Sequence, residues 1–115
     1  MRQYEIWWAN LKSPVGRRPV LLLSRDSAYS VLNKVLVAEV TSTVRDIPVE
    51  VRPGPREGLS RRSVANLDNV HVVARSDLAS RIGTLAASRV GEVKRALGFV
   101  LDWPGLKYRD REYLG

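Results

Sequence analysis

The residues able to do chemistry in this 115-residue chain are arginines and hydroxyls rather than the usual catalytic side chains. There is one histidine, His71, and no cysteine. These counts exclude, within one chain, a pair of histidines acting as base and acid, a histidine-rich zinc site, a thiolate metal site and a cysteine nucleophile. A lone histidine is more often a structural or surface residue than a catalytic one, and we assign His71 to that class.

The 12 acidic residues are scattered along the chain, and the closest pair, Asp110 and Glu112, lies near the C-terminus. Metal-dependent nucleases usually need carboxylates that converge on the ion. The sequence also has no glycine-rich phosphate loop, no Gly-x-Ser-x-Gly and no His-Glu-x-x-His. We therefore expect neither a metal site nor a cofactor.

The chain is basic, with 19 lysines and arginines against 12 acidic residues and a net charge of +7. Arginine supplies most of the positive charge, because lysine occurs only at Lys12, Lys34, Lys94 and Lys107. The planar guanidinium can bind two phosphate oxygens at once. The charge indicates a polyanionic partner, either a nucleic acid or an acidic protein.

Arginine and hydroxyl chemistry suits RNA, which carries its own nucleophile in the 2′-hydroxyl group. An enzyme that cleaves RNA must hold this hydroxyl in line with the phosphate, neutralise the developing charge and move two protons. Arginine is a poor general base at its ordinary pKa, so it would either act largely through its charge or have its pKa strongly perturbed by the site.

The elements that must position these groups are mostly strands. Strands are predicted at 5–9, 18–24, 34–41, 47–51, 63–66 and 71–74, and loops at 12–17, 25–33 and 52–58. One amphipathic helix is predicted from Ser88 to Trp103, because apolar residues recur there at three- and four-residue steps. Pro104 and Gly105 should end this helix.

Short strands joined by hairpin-like loops predict a small antiparallel barrel with a helix packed against it, a mostly β, barrel-like α+β fold. We expect one domain over residues 1–103 and a polar tail over 104–115. The sequence has no apolar run near the ~20 residues that span a bilayer and no secretory signal pattern, which is compatible with the cytoplasm. Pairing into a dimer would help a domain of this size to bury more surface.

Six segments, in order, resemble the MazF/PemK (Kid) family of toxin endoribonucleases. The Arg-Pro-Val run at residues 18–20, which leads into an apolar strand, is the most characteristic of them. The resemblance covers roughly residues 3–102, and the segments that carry it are 5–7, 16–20, 37–42, 47–51, 63–71 and 81–85.

The resemblance implies a small SH3-like barrel that forms a homodimer. It also implies a toxin that cleaves single-stranded RNA at short sequences without a metal ion. The 2′-hydroxyl would attack the phosphate, leaving 2′,3′-cyclic phosphate and 5′-hydroxyl ends. The protein partner would be an antitoxin whose acidic C-terminal segment occupies the RNA groove.

By the family's motif, Arg18 takes the position of the catalytic arginine, whose role would be proton transfer and stabilisation of the phosphate. Thr41 takes that of the catalytic threonine, with its hydroxyl on the scissile phosphate. The motif selects Arg18 over Arg17, because Arg18 directly precedes the proline. Thr41 has two neighbouring hydroxyls, Ser42 and Thr43, and a slip of one residue would turn a neighbour onto the working face.

Further RNA contacts are expected from charged, polar and aromatic residues near these segments: Glu5, Trp7, Lys12, Arg17, Arg25, Asn33, Ser42, Arg45 and Asn69. Trp7 and Trp8 should face opposite sides of one strand, so that one of them is free to serve the groove or a dimer. The loop at 13–17 is shorter than is typical of the family, which predicts a different sequence preference. The tail beyond Trp103 lies outside the resemblance.

Two other functions stay open at this point. The same barrel class includes gyrase-binding toxins of the CcdB type, which act by protein contact and need no catalytic arginine. A third possibility is an RNA-binding barrel without cleavage activity.

Overall fold

The chain is built from six strands and three helices, described by a computed structural model over residues 1–52, 57–59 and 63–107. The strands are β1 (Glu5–Asn10), β2 (Arg17–Leu22), β3 (Lys34–Thr41), β4 (Glu50–Val51), β5 (Val64–Ala74) and β6 (Leu78–Thr84). The helices are α1 (Ala28–Val31), α2 (Val90–Val100) and α3 (Pro104–Lys107), and single 3-10 turns lie at Arg75–Asp77 and Ala87–Arg89. The strands form one antiparallel sheet in the order β4-β5-β3-β2-β1-β6.

Alternation along the strands places an apolar cluster on each face of this sheet. The first cluster packs beneath α2 and includes Ile6, Leu21, Val40, Leu67, Val93 and Ala96. The second cluster includes Ala9, Val20, Leu22, Val35 and Val37. Arg18 continues the alternation of Val20 and Leu22, so it projects from the face of the second cluster, at the start of β2.

The two ends of the sheet approach each other through the segment after β4. A methyl group added at Gly83 in β6 would overlap the carbonyl oxygen of Glu57, and one at Gly58 would lie 2.5 Å from that of Ile82. The sheet therefore curls until residues 57–59 meet β6. The predicted class, a mostly β, barrel-like fold with a C-terminal helix, is confirmed.

Closure of the barrel depends on the absence of a side chain at Gly83. We expect Gly83→Ala to lower the free energy of unfolding by about 1–3 kcal/mol, because both backbones would have to move apart. Gly105→Ala is the matched control, since its added methyl group meets only ordinary contacts with Trp103, the nearest at 3.6 Å. Urea denaturation of both variants measures the difference, and an equal effect of the two substitutions would contradict the close approach.

The predicted strands differ from the observed ones mainly in the second half of the chain. The strand predicted at 47–51 is reduced to β4, and the two predicted at 63–66 and 71–74 are parts of the single strand β5. Strand β6 was not predicted. It lies at the edge of the sheet with most of its side chains exposed, so its sequence lacks the regular apolar alternation of a half-buried strand.

Helical structure also extends beyond the prediction. The loop predicted at 25–33 contains α1, where Ala28 and Tyr29 are buried. The Tyr29 hydroxyl donates a hydrogen bond to the Ser24 carbonyl at 3.0 Å, and burial raises the pKa of this hydroxyl. Helix α2 is shorter than predicted, and the first four residues of the predicted tail form α3. Residues 108–115 and most of the loop predicted at 52–58 lie outside the described residues.

Among the residues that the structure describes, no helix is long and apolar enough to span a membrane.

Candidate active site

Arg18 and Thr41 come together where β2 begins and β3 ends. The antiparallel register sets Val20 opposite Glu39, so two residues further along Arg18 lies across from Thr41. Both side chains line the same two adjoining depressions on the surface. The pairing of two strands far apart in sequence therefore places a guanidinium and a hydroxyl at one cleft.

Glu39 joins Arg18 to the histidine of the neighbouring strand. Its Oε1 accepts a hydrogen bond from Nη1 of Arg18 at 2.9 Å, and its Oε2 lies 2.7 Å from Nε2 of His71. The side chain of Glu39 is only 10% exposed, whereas those of Arg18 and His71 are each 35% exposed. The buried carboxylate therefore holds two nitrogen-bearing side chains that both reach solvent.

An irregularity in β5 lies on the Glu39 side of the cleft. Ala38 pairs with Val70, but Val40 pairs with Ala65, so β5 has four residues where β3 has one. The residues of this bulge include Asn66 and Asn69, which line the depression shared by Arg18, Glu39 and Thr41. Thr43 and Arg45 line it from the loop after β3. The bulge thus brings amide groups to a surface that otherwise carries charge and hydroxyls.

The cleft continues past Arg18 toward an aromatic and apolar depression. Here the guanidinium of Arg17 lies over the Trp8 ring, 4.6 Å from its centre, which is a cation–π geometry. The remaining walls are apolar or carry hydroxyls, and they include Pro19, Ser42, Leu59, Ser63 and Ile82. This side of the cleft has the composition of a surface that contacts unpaired bases.

The hydroxyl of Thr41 is oriented by a hydrogen bond from the backbone two residues later in the chain. The backbone N–H of Thr43 donates a hydrogen bond to Thr41 Oγ1 at 3.2 Å. Because this bond uses a lone pair, the hydroxyl hydrogen of Thr41 is available to donate to a ligand. Ser42 lines only the Trp8 side of the cleft and Thr43 only the Arg45 side, whereas Thr41 lines both.

A third depression lies on the other side of Glu39. It is lined by Glu39 and His71 together with two lysines, Lys12 and Lys34, and by Asp77. Glu39 therefore stands between this lysine-lined depression and the cleft of Arg18.

A sequence profile of the family described as "PemK-like, MazF-like toxin of type II toxin-antitoxin system" matches residues 2–101. The chain belongs to this family. The resemblance carried by the six sequence segments is confirmed.

Individual members of the PemK/MazF family support the assignment. The chain is 41% identical over 100 residues to a probable endoribonuclease, MazF5, of Mycobacterium tuberculosis, a match that covers 85% of this chain and 90% of the relative. The solved structure of the Mycobacterium tuberculosis toxin MazF-mt6 is similar with a TM-score of 0.80 and 36% identity, covering 85% of this chain and 96% of that one. A MazE-MazF structure from Deinococcus radiodurans is similar with a TM-score of 0.76 and 27% identity, covering 89% and 96% of the two chains.

The structure gathers six of the predicted site residues of this PemK/MazF chain around one cleft, and a seventh lies next to it. The six are Arg17, Arg18, Thr41, Ser42, Arg45 and Asn69. Lys12 lies in the neighbouring depression with His71.

Four other predicted contacts lie apart from this cleft. The buried carboxylate of Glu5 accepts hydrogen bonds from the Trp7 indole at 3.1 Å and from a backbone N–H near the N-terminus. Trp7 itself packs against the second apolar cluster. Arg25 donates to the Ser27 hydroxyl beside α1, and the Asn33 carbonyl accepts the backbone N–H of Arg75. None of these four residues lines the depressions around Arg18 and Thr41.

Sequence reasoning missed Glu39 and the position of His71. A signal for Glu39 was present, because an acidic residue in the middle of an apolar strand, two places before Thr41, should share its face. His71 was assigned to the structural or surface class, and the structure places its ring on the carboxylate that also holds Arg18. Of the two tryptophans expected to face opposite sides of β1, Trp8 rather than Trp7 lines the cleft. Asn66 was missed because a bulge has no clear sequence pattern.

Over residues 1–52, 57–59 and 63–107, no group of three or more histidine, cysteine or acidic side chains is arranged to hold a metal ion.

Proposed function

We propose that this chain is the toxin of a toxin–antitoxin pair and cleaves single-stranded RNA at specific sequences, without a metal ion, by attack of the 2′-hydroxyl on the adjacent phosphate. The products would be a 2′,3′-cyclic phosphate and a 5′-hydroxyl. The observation that carries the proposal is the meeting of Arg18 and Thr41 at one cleft of a PemK/MazF fold. The relatives' names, endoribonucleases, favour this function over a gyrase-binding toxin or a module that only binds RNA.

Arg18 and Thr41 supply charge and a hydrogen bond where the phosphorane forms. The guanidinium of Arg18, which Glu39 holds by a 2.9 Å contact, neutralises the non-bridging oxygens. The free hydrogen of Thr41 donates to one of these oxygens. These interactions strengthen as charge accumulates on the phosphate, so they lower the barrier rather than merely hold the substrate.

The RNA strand would run along the cleft on both sides of this pair. Arg17 and Trp8 offer a stacking surface on one side, while Arg45 and Asn69 offer phosphate and base contacts on the other. Ser42 and Lys12 would add contacts at the two ends. Because phosphates and unpaired bases alternate along the strand, mixed cationic and aromatic walls suit single-stranded RNA.

The protein partners would be an antitoxin and a second copy of this chain. A MazE-MazF structure is among the similar solved structures, and the net charge of +7 attracts an acidic segment into the same cleft. Binding there would block RNA directly. The cytoplasm is the compartment in which toxin, antitoxin and RNA would meet.

The test is cleavage of an unstructured RNA by purified protein in excess EDTA. We expect cleavage at a small set of sequences, with new ends that accept a 5′ label without prior phosphatase treatment. An oligonucleotide with deoxyribose at the cut site is the matched control and should remain intact, because it lacks the nucleophile. RNA that stays intact at protein concentrations that saturate binding would overturn the enzymatic function.

A further inference from the structure

The carboxylate of Glu39 links Arg18 to His71, a residue to which the proposed function gives no role. The proposed reaction must remove a proton from the 2′-hydroxyl, and an arginine that stays charged is a poor acceptor. Within hydrogen-bonding distance of the carboxylate that holds Arg18 lies the single imidazole of the chain.

We propose that His71 accepts the proton of the attacking 2′-hydroxyl, and that Glu39 is the positioning residue that holds His71 and Arg18 for this step. The inference rests on the proposed function and adds a proton acceptor to it.

The contact with Glu39 determines which nitrogen of His71 is free. An ionised carboxylate only accepts hydrogen bonds, so the 2.7 Å contact requires Nε2 to carry a hydrogen. In the neutral ring the lone pair then lies on Nδ1, which is the atom that takes the proton. Glu39 also stabilises the imidazolium that forms, as a buried carboxylate does for the histidine of hydrolytic triads.

The ring of His71 reaches a surface depression that carries two lysines, two acidic residues and several apolar side chains. The His71 side chain is 35% exposed and lines this depression together with Lys12 and Lys34. The same carboxylate faces the cleft of Arg18 and Thr41 on its other side. A strand crossing Glu39 would therefore pass both the imidazole and the guanidinium.

The proposed step balances with water as the only additional reactant. The 2′ oxygen forms a bond to phosphorus and gives its proton to Nδ1 of His71. The bond from phosphorus to the 5′ oxygen breaks with its electron pair, and this oxygen takes a proton from water. His71 then returns its proton to water, so no oxidant or metal is needed.

The proposal predicts a dependence on pH, because only the neutral imidazole accepts a proton. Activity should fall on the acidic side as His71 becomes protonated. Of the charged groups around His71, Glu39 on β3 contacts it directly, and Lys34 on β3, Lys12 in the loop after β1 and Asp77 in the turn before β6 line the same depression. Arg18 on β2 lies on the other oxygen of Glu39.

The decisive variant is His71→Gln, whose amide keeps a donor near the position of Nε2 but cannot accept the proton. We expect its single-turnover cleavage rate to fall about 10²–10⁴-fold and its acidic pH limb to disappear. Its affinity for an uncleavable 2′-deoxy oligonucleotide should stay within about threefold of the wild-type value, since RNA binding does not require the proton acceptor. Glu39→Gln should also lower the rate and shift the acidic limb, because the imidazolium loses its counter-charge.

Glu57→Gln is the matched control. Glu57 is also a buried carboxylate paired with an arginine, 3.2 Å from Arg89, but it lies away from His71. It should change thermal stability without changing the pH profile. A Glu57→Gln profile that shifts like that of Glu39→Gln would overturn the positioning role.

The outcomes separate this inference from the proposed function. If the wild type cleaves RNA and Arg18→Ala does not, but His71→Gln keeps the wild-type rate and pH profile, the proton acceptor is wrong and the nuclease stands. If His71→Gln recovers the wild-type rate on a substrate with a 5′-thio leaving group, His71 serves the leaving group and the base assignment is overturned. If the wild type does not cleave RNA, the proposed function itself fails.

Discussion

Replacing Arg18 by alanine is expected to lower the single-turnover rate of RNA cleavage by about 10³–10⁵-fold, the range found when an arginine that stabilises a transferring phosphoryl group is removed. The reason is that Arg18 is the cation at the point where β2 and β3 bring Thr41 into the same cleft. The measurement is cleavage of a short labelled RNA with enzyme in excess, at a protein concentration that saturates binding.

Two further substitutions, one at Arg18 itself and one at Arg17, are the controls for charge and for RNA binding. Arg18→Lys keeps the charge but loses the planar fork, so part of the rate should return. Arg17→Ala removes a guanidinium that stacks on Trp8, so it should weaken RNA binding severalfold while the rate at saturation changes little. A larger loss of rate from Arg17→Ala than from Arg18→Ala would show that the wrong arginine has been assigned.

Replacing Thr41 by valine, which has nearly the same shape, is expected to lower the cleavage rate about 10²–10³-fold, as the loss of one hydrogen-bond donor to a developing oxyanion does. Thr41 lines both sides of the cleft, and its hydroxyl hydrogen is not used by the Thr43 contact. The rate at saturating protein reports the loss.

Ser42→Ala and Thr43→Val are the matched controls, because each removes a hydroxyl from only one side of the same cleft. Each should lower the saturated rate by less than about tenfold. A larger loss for either control than for Thr41→Val would place the working hydroxyl on that neighbour. Thermal denaturation of all three variants shows whether the turn after β3 survives the changes.

The sequence was sufficient to predict the family and the first three strands, and the resemblance to the family singled out Arg18 and Thr41, which the structure brings to one cleft. The strands depend on local pattern: an apolar strand after Arg-Pro, and a second apolar strand that ends at Thr41. Buried strands, and strands that pair with their neighbours in sequence, have the clearest patterns of apolar residues.

The rest depends on contacts between distant segments. The bridge from Arg18 through Glu39 to His71 requires the order and register of three strands, and no local pattern reveals that register. Strand β6 depends on pairing with β1 rather than on burial of its own side chains. Glu5 and Trp7 were predicted as RNA contacts from their place in the motif, but a side chain in that strand is equally able to face the interior.

The bulge in β5 has a consequence for how such a toxin can diversify in evolution. The pairs Ala38–Val70 and Val40–Ala65 fix β3 against β5 on both sides of it, while Asn66 pairs with Glu50 of β4 and Leu67 is buried in the core. A substitution at Asn66 or Asn69 therefore changes the groups that the bulge presents to the cleft without changing the pairs on either side. Relatives can therefore differ in the side chains at this edge of the cleft while the strands that bring Arg18 and Thr41 together stay the same.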